Sequence, residues 1–403
     1  MLIENKITAD GREISNRMVF QPMEGCDCTL EGTPSELTTG KYMRFASGGA
    51  GIVWMEANAV CPEGRANPRQ MMLTAENLSV FKRLTAEIKE SALKRFGFAP
   101  LLILQLTHSG RQSVSPMIAY RNPVYEKTRP LSDDAIVSDE YLDSLAEKYA
   151  FSTKLALKAG FDGVDVKCCH GYLTSELFSA FARKGKYGGS FENRTRLITD
   201  LVKAAASEKG GMILCSRTGL YDGLPLPWGF GADEKGNPDW REPLALCAKL
   251  NDAGVKIMDF TIGNPYFNPW LNRPYKCGPV NPPPVKTNTA LGYFKEISGL
   301  IKKNVPQLKV VMSGMTYYGK QCFDEAEKML KDGICDFVGF GRMTLAYPEF
   351  YADYLRGAFD EKKICATCSK CTELMRAHCT SGCALFNPYY RNLYKEAVCE
   401  KQR

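Results

Sequence analysis

The sequence predicts an α/β protein, with a closed eight-stranded (β/α)8 barrel of the TIM type over residues 1–360 and a cysteine-rich extension over residues 361–403. Three observations carry this expectation. Short β-rich runs alternate with amphipathic helical stretches along most of the chain, the pattern of a parallel sheet with crossover helices. Eight such runs occur, the closing number for a barrel. The alternation then stops near Lys362, and five of the sixteen cysteines fall between Cys365 and Cys383.

The predicted strands run Met18 to Met23, Gly51 to Ala57, Leu101 to Leu106, Gly163 to Val166, Met212 to Arg217, Ile257 to Thr261, Lys309 to Ser313 and Phe337 to Gly341. Each is a short run rich in apolar residues and bounded by turn formers. Helices fill the intervals. Thr33-Pro34-Ser35-Glu36 reads as a helix start, with a capping hydroxyl, proline at the first helical position and glutamate at the third, and that helix is expected to reach about Ser47. Ser138 opens another, in which Leu142, Leu145, Tyr149, Thr153 and Ala156 recur at helical spacing before Gly160. Asn77 to Phe96 and Glu192 to Glu208 read the same way. Two long segments, Cys61 to Leu73 and Tyr221 to Trp240, break the rhythm and are expected to cover the barrel's active face.

With 44% hydrophobic residues, the 403-residue chain can bury a sizeable core. The net charge of +7 arises from 52 basic and 45 acidic residues without a dense basic run, which argues against nucleic-acid binding. The start, Met1-Leu2-Ile3-Glu4-Asn5-Lys6, lacks the charged-then-apolar order of an export signal, and no stretch approaches the ~18 apolar residues of a membrane span. A soluble cytoplasmic protein without membrane contact is expected, and a homo-oligomer is left open. In a reducing compartment, crowded cysteines point to metal ligation rather than disulfides. The eleven scattered cysteines read as small buried hydrophobes.

In a barrel, the C-terminal ends of the strands aim functional side chains into one mouth. Here those ends are polar. The third strand ends in Gln105-Leu106-Thr107-His108-Ser109-Gly110-Arg111, the fourth in Lys167-Cys168-Cys169-His170-Gly171-Tyr172 and the fifth in Arg217. The last two end in Ser313-Gly314 and Gly339-Phe340-Gly341-Arg342. Glycine turns beside an arginine suit a phosphate, which takes backbone N–H groups and a guanidinium fork. A plain turn is the other reading.

Further segments add to these: Asn16-Arg17 leading to Pro22-Met23, Gly48-Gly49-Ala50-Gly51 before the second strand, Gln105 with His108 and Gly110-Arg111, and His170-Gly171-Tyr172-Leu173 followed by Tyr187-Gly188-Gly189-Ser190 and Asn193-Arg194. In order and spacing this set resembles the old yellow enzyme family of flavoproteins over nearly the whole barrel. The resemblance implies FMN at the barrel mouth, with Gln105 on the pyrimidine edge, Arg217 beside N1 and O2, and Gly314, Gly341 and Arg342 on the phosphate. Pro22, Met23, Glu24, Ala57 and Ser313 complete the implied cofactor set. A cation beside N1 stabilises the charge that a reduced flavin accumulates, and a salt bridge is the alternative role for Arg217. On its fourth strand the family places two donors to a substrate carbonyl oxygen and a tyrosine that protonates carbon, matched here by Lys167, His170 and Tyr172. Two positions depart from the family's pattern: Lys167 replaces a histidine, and Glu24 replaces a threonine or cysteine beside the flavin's N5 edge. A carboxylate at 24 would lower the flavin potential or pair with Lys167.

The tail carries Cys365, Cys368, Cys371 and Cys383 in the order C-x2-C-x2-C-x11-C, which can wrap one cubic 4Fe-4S cluster. Zinc is the competitor, and Cys379 is an alternative to Cys383. The arrangement resembles the iron–sulfur branch of the same family, the 2,4-dienoyl-CoA reductases and trimethylamine dehydrogenases. Those relatives continue into a half that binds FAD and a nicotinamide, whereas no G-x-G-x-x-G follows a strand after these cysteines. Electrons are therefore expected from NAD(P)H at FMN, or through the cluster from a separate electron-donor protein.

Three functions fit. The first is an ene-reductase acting on a small-molecule α,β-unsaturated carbonyl, with Tyr172 protonating the α-carbon. The second is an amine or ether dehydrogenase of the trimethylamine dehydrogenase type, and the third a non-redox Schiff-base lyase using Lys167 with a structural zinc tail. The apolar loop residues Pro225, Trp228, Phe230, Tyr266, Phe267 and Trp270 suggest a bulky hydrophobic substrate.

Overall fold

A computed structural model of the chain describes residues 1–399 other than 277, 279 and 281. The chain opens on a short antiparallel ribbon, β1 (Ile7–Ala9) and β2 (Arg12–Ile14). Eight parallel strands follow at the predicted places: β3 (Met18–Phe20), β4 (Ile52–Ala59), β5 (Leu101–Thr107), β6 (Gly163–Val166), β7 (Ile213–Tyr221), β8 (Ile257–Ile262), β9 (Lys309–Met312) and β10 (Phe337–Phe340). They close in the order β10-β3-β4-β5-β6-β7-β8-β9, with Val338 opposite Met18 and Phe340 opposite Phe20 at the seam between the last strand and the first.

Strand alternation sorts the residues of the barrel. Successive side chains point to opposite faces, so residues two apart share one. Val19, Ile52, Trp54, Ile103, Ile213, Cys215, Ile257, Val311 and Phe337 pack together inside the barrel, and Ala9 and Ile14 of the ribbon join them, closing its lower end. The outward-facing strand residues join a much larger core with the helices, from Met18 and Val53 to Leu104, Val164 and Leu214. Two steps further along six of the strands, the inward positions change to Gln21, Gln105, Asp165, Arg217, Asp259 and Ser313. The polar residues thus form a layer above an apolar plug.

The helices follow the predicted rhythm with local corrections. The first, Glu36–Ala46, is capped by Ser35 rather than Thr33, because Ser35 accepts from the backbone of Leu37 and Thr38 while Thr38 completes the box. Leu78–Phe96 and Asp139–Lys158 lie as expected, the latter capped by Ser138. The stretch from 192 to 208 is two helices, Phe191–Arg194 and Arg196–Glu208, divided at Thr195. Several of the motifs read above are scaffolding. Asn16 accepts from Gly51 N at 2.7 Å and donates to Gly49 O at 2.9 Å, and a Cβ at Gly51 would come within 2.5 Å of Asn16 O. Arg194 reaches Glu242 at 2.6 Å, and Arg111 reaches Glu176 at 2.5 Å. Among the described residues, no helix is long and apolar enough to cross a membrane.

Candidate active site

The polar layer is the floor of a cavity at the C-terminal mouth of the barrel. Two buried carboxylates fix it. Asp165 accepts from Gln105 Nε2 at 2.6 Å, Trp54 Nε1 at 2.9 Å and Arg217 N at 2.6 Å. Asp259 accepts from Gln21 Nε2 at 2.8 Å and Ser313 Oγ at 2.9 Å. Arg217 Nε stands 3.2 Å from Asp259 Oδ2, a charge contact without hydrogen-bond alignment. The salt bridge considered for Arg217 is therefore made, yet its side chain still lines the cavity. Burial raises both carboxyl pKa values, Asp165 to about 6, with the Arg217 charge opposing the rise at Asp259.

The cavity holds about 1140 Å³ including its mouth, room for a cofactor and a substrate. All the implied cofactor and substrate residues line it: Pro22, Met23, Glu24, Ala57, Gln105, Arg217, Ser313, Gly314, Gly341, Arg342, Lys167, His170 and Tyr172. On one wall the chain turns sharply after β6. His170 and Gly171 both take positive φ, 68° and 67°, a region that a residue with a Cβ enters only at a cost. A Cβ at Gly171 would come within 2.5 Å of Asn264 Nδ2. His170 Nε2 is shielded and has no partner, and burial beside Arg217 and Lys167 holds the ring neutral, far below the usual histidine range. Lys167 makes no ion pair among the described residues. Its ammonium sits over the Tyr172 ring, 4.1 Å from the centroid, and burial lowers its pKa. Pairing with Glu24, one of the two expectations for that carboxylate, is not realised. Glu24 Oε1 has no hydrogen-bond partner, and its pKa is raised by burial against the opposing charges of Lys167 and Lys41.

At the opposite side, Arg273 and Arg342 crowd one another. Burial and the neighbouring Arg342 charge bring the Arg273 pKa down to about 10. Neither guanidinium has a carboxylate partner among the described residues, and Arg273 Nε and Arg342 Nη1 are left without hydrogen bonds. The turn after β9 adds Gly314 at φ 85°, and a Cβ at Gly341 would lie 2.9 Å from Met23 Sδ. Two buried cations beside glycine turns call for an anion, and a phosphate fits this donor set.

The tail folds onto this side. Lys276 N donates to Thr367 Oγ1 at 2.9 Å, Ser381 N to Gly25 O at 2.7 Å, and Arg273 to Thr372. Cys365, Cys368, Cys371 and Cys383 line one small cavity together with Arg342, and Cys371 also lines the main cavity. Positive φ at Thr367 and Ser369 turns the chain between the first three thiols. Cys379 lies elsewhere, packed against Leu374, Ala384, Tyr390 and Val398. Among the described residues no three His, Cys, Asp or Glu side chains converge tightly enough for a single metal ion.

Some expectations change. Of the aromatic loop residues, only Tyr266 lines the cavity. Phe230 packs on Phe178 at 4.8 Å and Phe267 on Tyr125 at 6.2 Å between ring centroids, while Trp228 and Trp270 pack against the core. Of the two long segments, that from Cys61 to Leu73 lends Ala66 to Arg69 to an outer cavity, but that from Tyr221 to Trp240 borders neither. His108 bonds Tyr141 Oη at 2.8 Å, outside the site. Arg273, Arg376, Gln21 and Thr316 are lining residues that the sequence reading missed. Gln21 was available from alternation, two residues beyond Val19. Arg273 sits in an irregular loop with no periodicity to flag it.

The chain resembles known proteins in sequence and in fold. The chain is 25% identical over 367 residues to an NADH oxidase of Thermoanaerobacter brockii, covering 88% of this chain and 51% of that protein, so it spans about half of that relative's length. It is 29% identical over 355 residues to an NADPH dehydrogenase of Geobacillus sp. (strain WCH70), covering 85% of this chain and 90% of that one. The fold is shared with a 2-naphthoyl-CoA reductase solved with 2-naphthoyl-CoA, at a TM-score of 0.79 and 20% identity, over 98% of this chain and 58% of that chain. So broad a match takes in most of the cysteine-rich tail. The sequence profile of the NADH:flavin oxidoreductase / NADH oxidase family matches residues 6–223, more than half of the chain, and the chain therefore belongs to that family, the family of old yellow enzyme.

Proposed function

We propose that the chain is an FMN-dependent oxidoreductase that reduces the C=C bond of an α,β-unsaturated carbonyl compound. The observation that carries this reading is the convergence, in one cavity, of an unpartnered donor wall on β6 with two uncompensated arginines across from it. Arg273 and Arg342 would hold the FMN phosphate, and Arg217, Gln105 and Gln21 would meet the ring from the fixed floor. Reduced FMN held there would supply the hydride that the β-carbon receives. His170 and Lys167 grip the carbonyl oxygen and stabilise the enolate charge that develops there. Tyr172 delivers its phenolic proton to the α-carbon. The names of the relatives support NADH or NADPH as the electron donor.

The tail, residues 361–403, forms with the barrel of residues 1–360 the second part of this proposal: Cys365, Cys368, Cys371 and Cys383 ligate a 4Fe-4S cluster. The spacing C-x2-C-x2-C-x11-C, with three thiols close in sequence and the fourth apart, suits a cubic cluster better than the paired ligands of a zinc site. Membership of a flavin family leaves the Schiff-base lyase without support. Anaerobic mixing of the dithionite-reduced protein with unsaturated ketones, acids and thioesters tests the reading. Reoxidation of the flavin by at least one of them is expected. If instead amines reduce the oxidised flavin and no enone reoxidises it, the dehydrogenase reading replaces this one.

A further inference from the structure

The main cavity has an outer neighbour, and the two share Glu24, Tyr266, Met375 and Arg376 as a common wall. The outer cavity is bordered by Leu30 and Val114, exposed by 65% and 61%, and so meets solvent. Tyr172, by contrast, is only 3% exposed. A phenol that gives a proton to carbon in each cycle must recover one, and among the described residues Tyr172 has one hydroxyl neighbour for this: its Oη lies 3.5 Å from Tyr266 Oη. Tyr266 is 38% exposed at the boundary between the cavities. Glu24 stands on the same boundary, and among the described residues its Oε1 has no hydrogen-bond partner.

Building on Tyr172 as the proton donor, we propose that Tyr266 and Glu24 form a relay that returns a proton from the outer cavity to Tyr172 after each turnover. The steps balance without electron movement. Tyr172 loses its proton to the substrate α-carbon and becomes a phenolate. The O–H bond of Tyr266 then breaks as that of Tyr172 re-forms, the Glu24 carboxyl, which makes no direct hydrogen bond to Tyr266, reprotonates it through an intervening water, and the Glu24 carboxylate takes a proton from hydronium or a buffer acid in the outer cavity, whose conjugate base returns to solvent. Lys167, whose ammonium lies over the Tyr172 ring, lowers the energy of the transient phenolate. Burial raises the Glu24 pKa and so favours the protonated form that the relay requires at rest.

The test uses the FMN-loaded protein with dithionite as donor and the unsaturated carbonyl that reoxidises it fastest. In wild type, the steady-state rate and the single-turnover rate of flavin reoxidation are compared with those of Glu24→Gln, Glu24→Ala and Tyr266→Phe. Each variant is expected to lower the ratio of steady-state to single-turnover rate at least tenfold, and formate is expected to restore it in Glu24→Ala. A readout without substrate accompanies this. The infrared carbonyl stretch of a protonated carboxyl, shifted in D2O, should be present in wild type and absent in Glu24→Gln. If both rates fall in proportion, formate restores nothing, or no such band is lost, the relay is overturned. Failure of every unsaturated carbonyl to reoxidise wild type would instead overturn the ene-reductase reading, while the infrared result would still decide whether Glu24 holds an exchangeable proton.

Discussion

The floor and the walls of the cavity are made of similar residue types arranged to opposite ends. On the floor, Gln105 is bound to Asp165, Gln21 and Ser313 to Asp259, and Arg217 has Asp259 as its counter-charge. On the walls, His170 Nε2, Glu24 Oε1, Arg273 Nε and Arg342 Nη1 have no hydrogen-bond partner among the described residues. A shielded polar group left unpaired costs about 1–3 kcal/mol. A fold that holds several such groups around one cavity has kept them for something that enters it. At this cavity the floor side chains are held by their neighbours and set the geometry, and the unpartnered wall atoms are placed to meet a ligand.

The comparison can be broken most decisively at the tail. Replacing Cys383 with alanine should abolish stoichiometric iron and acid-labile sulfide in anaerobically purified protein, while Cys379→Ala should leave both unchanged. The reverse pattern would mean that the thiols around the small cavity are not the ligand set. On the β6 wall, His170→Ala should slow reoxidation of the reduced flavin by an enone about a hundred- to a thousandfold, the usual cost of one oxyanion donor. Stopped-flow absorbance separates this step from flavin reduction, which should stay near the wild-type rate. Equal slowing of both steps would make His170 a structural residue.

A floor residue should respond through stability instead. The folded protein holds the Asp165 proton more tightly than the unfolded chain, so this contribution is complete below the ordinary aspartate range and is lost as pH rises through about 6. The stability of wild type relative to Asp165→Asn should therefore fall by about 3 kcal/mol between pH 3 and pH 7 and then level off. Denaturant titrations across that range measure it, and a flat difference would show that folding leaves the Asp165 pKa at its unfolded value. The smallest effect is expected at the phosphate end. Arg342→Ala should weaken FMN binding about thirtyfold, or about 2 kcal/mol, because Arg273 remains to hold the anion. Flavin fluorescence during titration reports the affinity, and an unchanged Kd would place the phosphate elsewhere.

Alternation and turn chemistry made much of this molecule legible in advance. The eight strands follow from short apolar runs bounded by turn formers, and the two-residue period of a strand carries Ile103 to Gln105 and Val311 to Ser313 on one face. The lining residues at the strand ends could be named for that reason, since a strand determines where its own last residue points. The first helix cap shifted by two positions because both hydroxyls, Thr33 and Ser35, precede a good helical run, and only the surrounding packing selects between them.

What the sequence by itself determined about this protein is the barrel, the polar ring at its mouth and the cysteine spacing, all of which depend on contacts between near neighbours in the chain. Tertiary structure alone decided which irregular segments reach the cavity. Arg273 enters it while Phe230 and Phe267 turn away, Cys383 joins the thiol cavity while Cys379 joins an apolar cluster, and Glu24 stands between two cavities without touching Lys167. Loops have no period to propagate a direction from one residue to the next. Their side chains are aimed by long-range partners such as Thr372 for Arg273 and Gly25 for Ser381, and those partners are neighbours only once the barrel has closed.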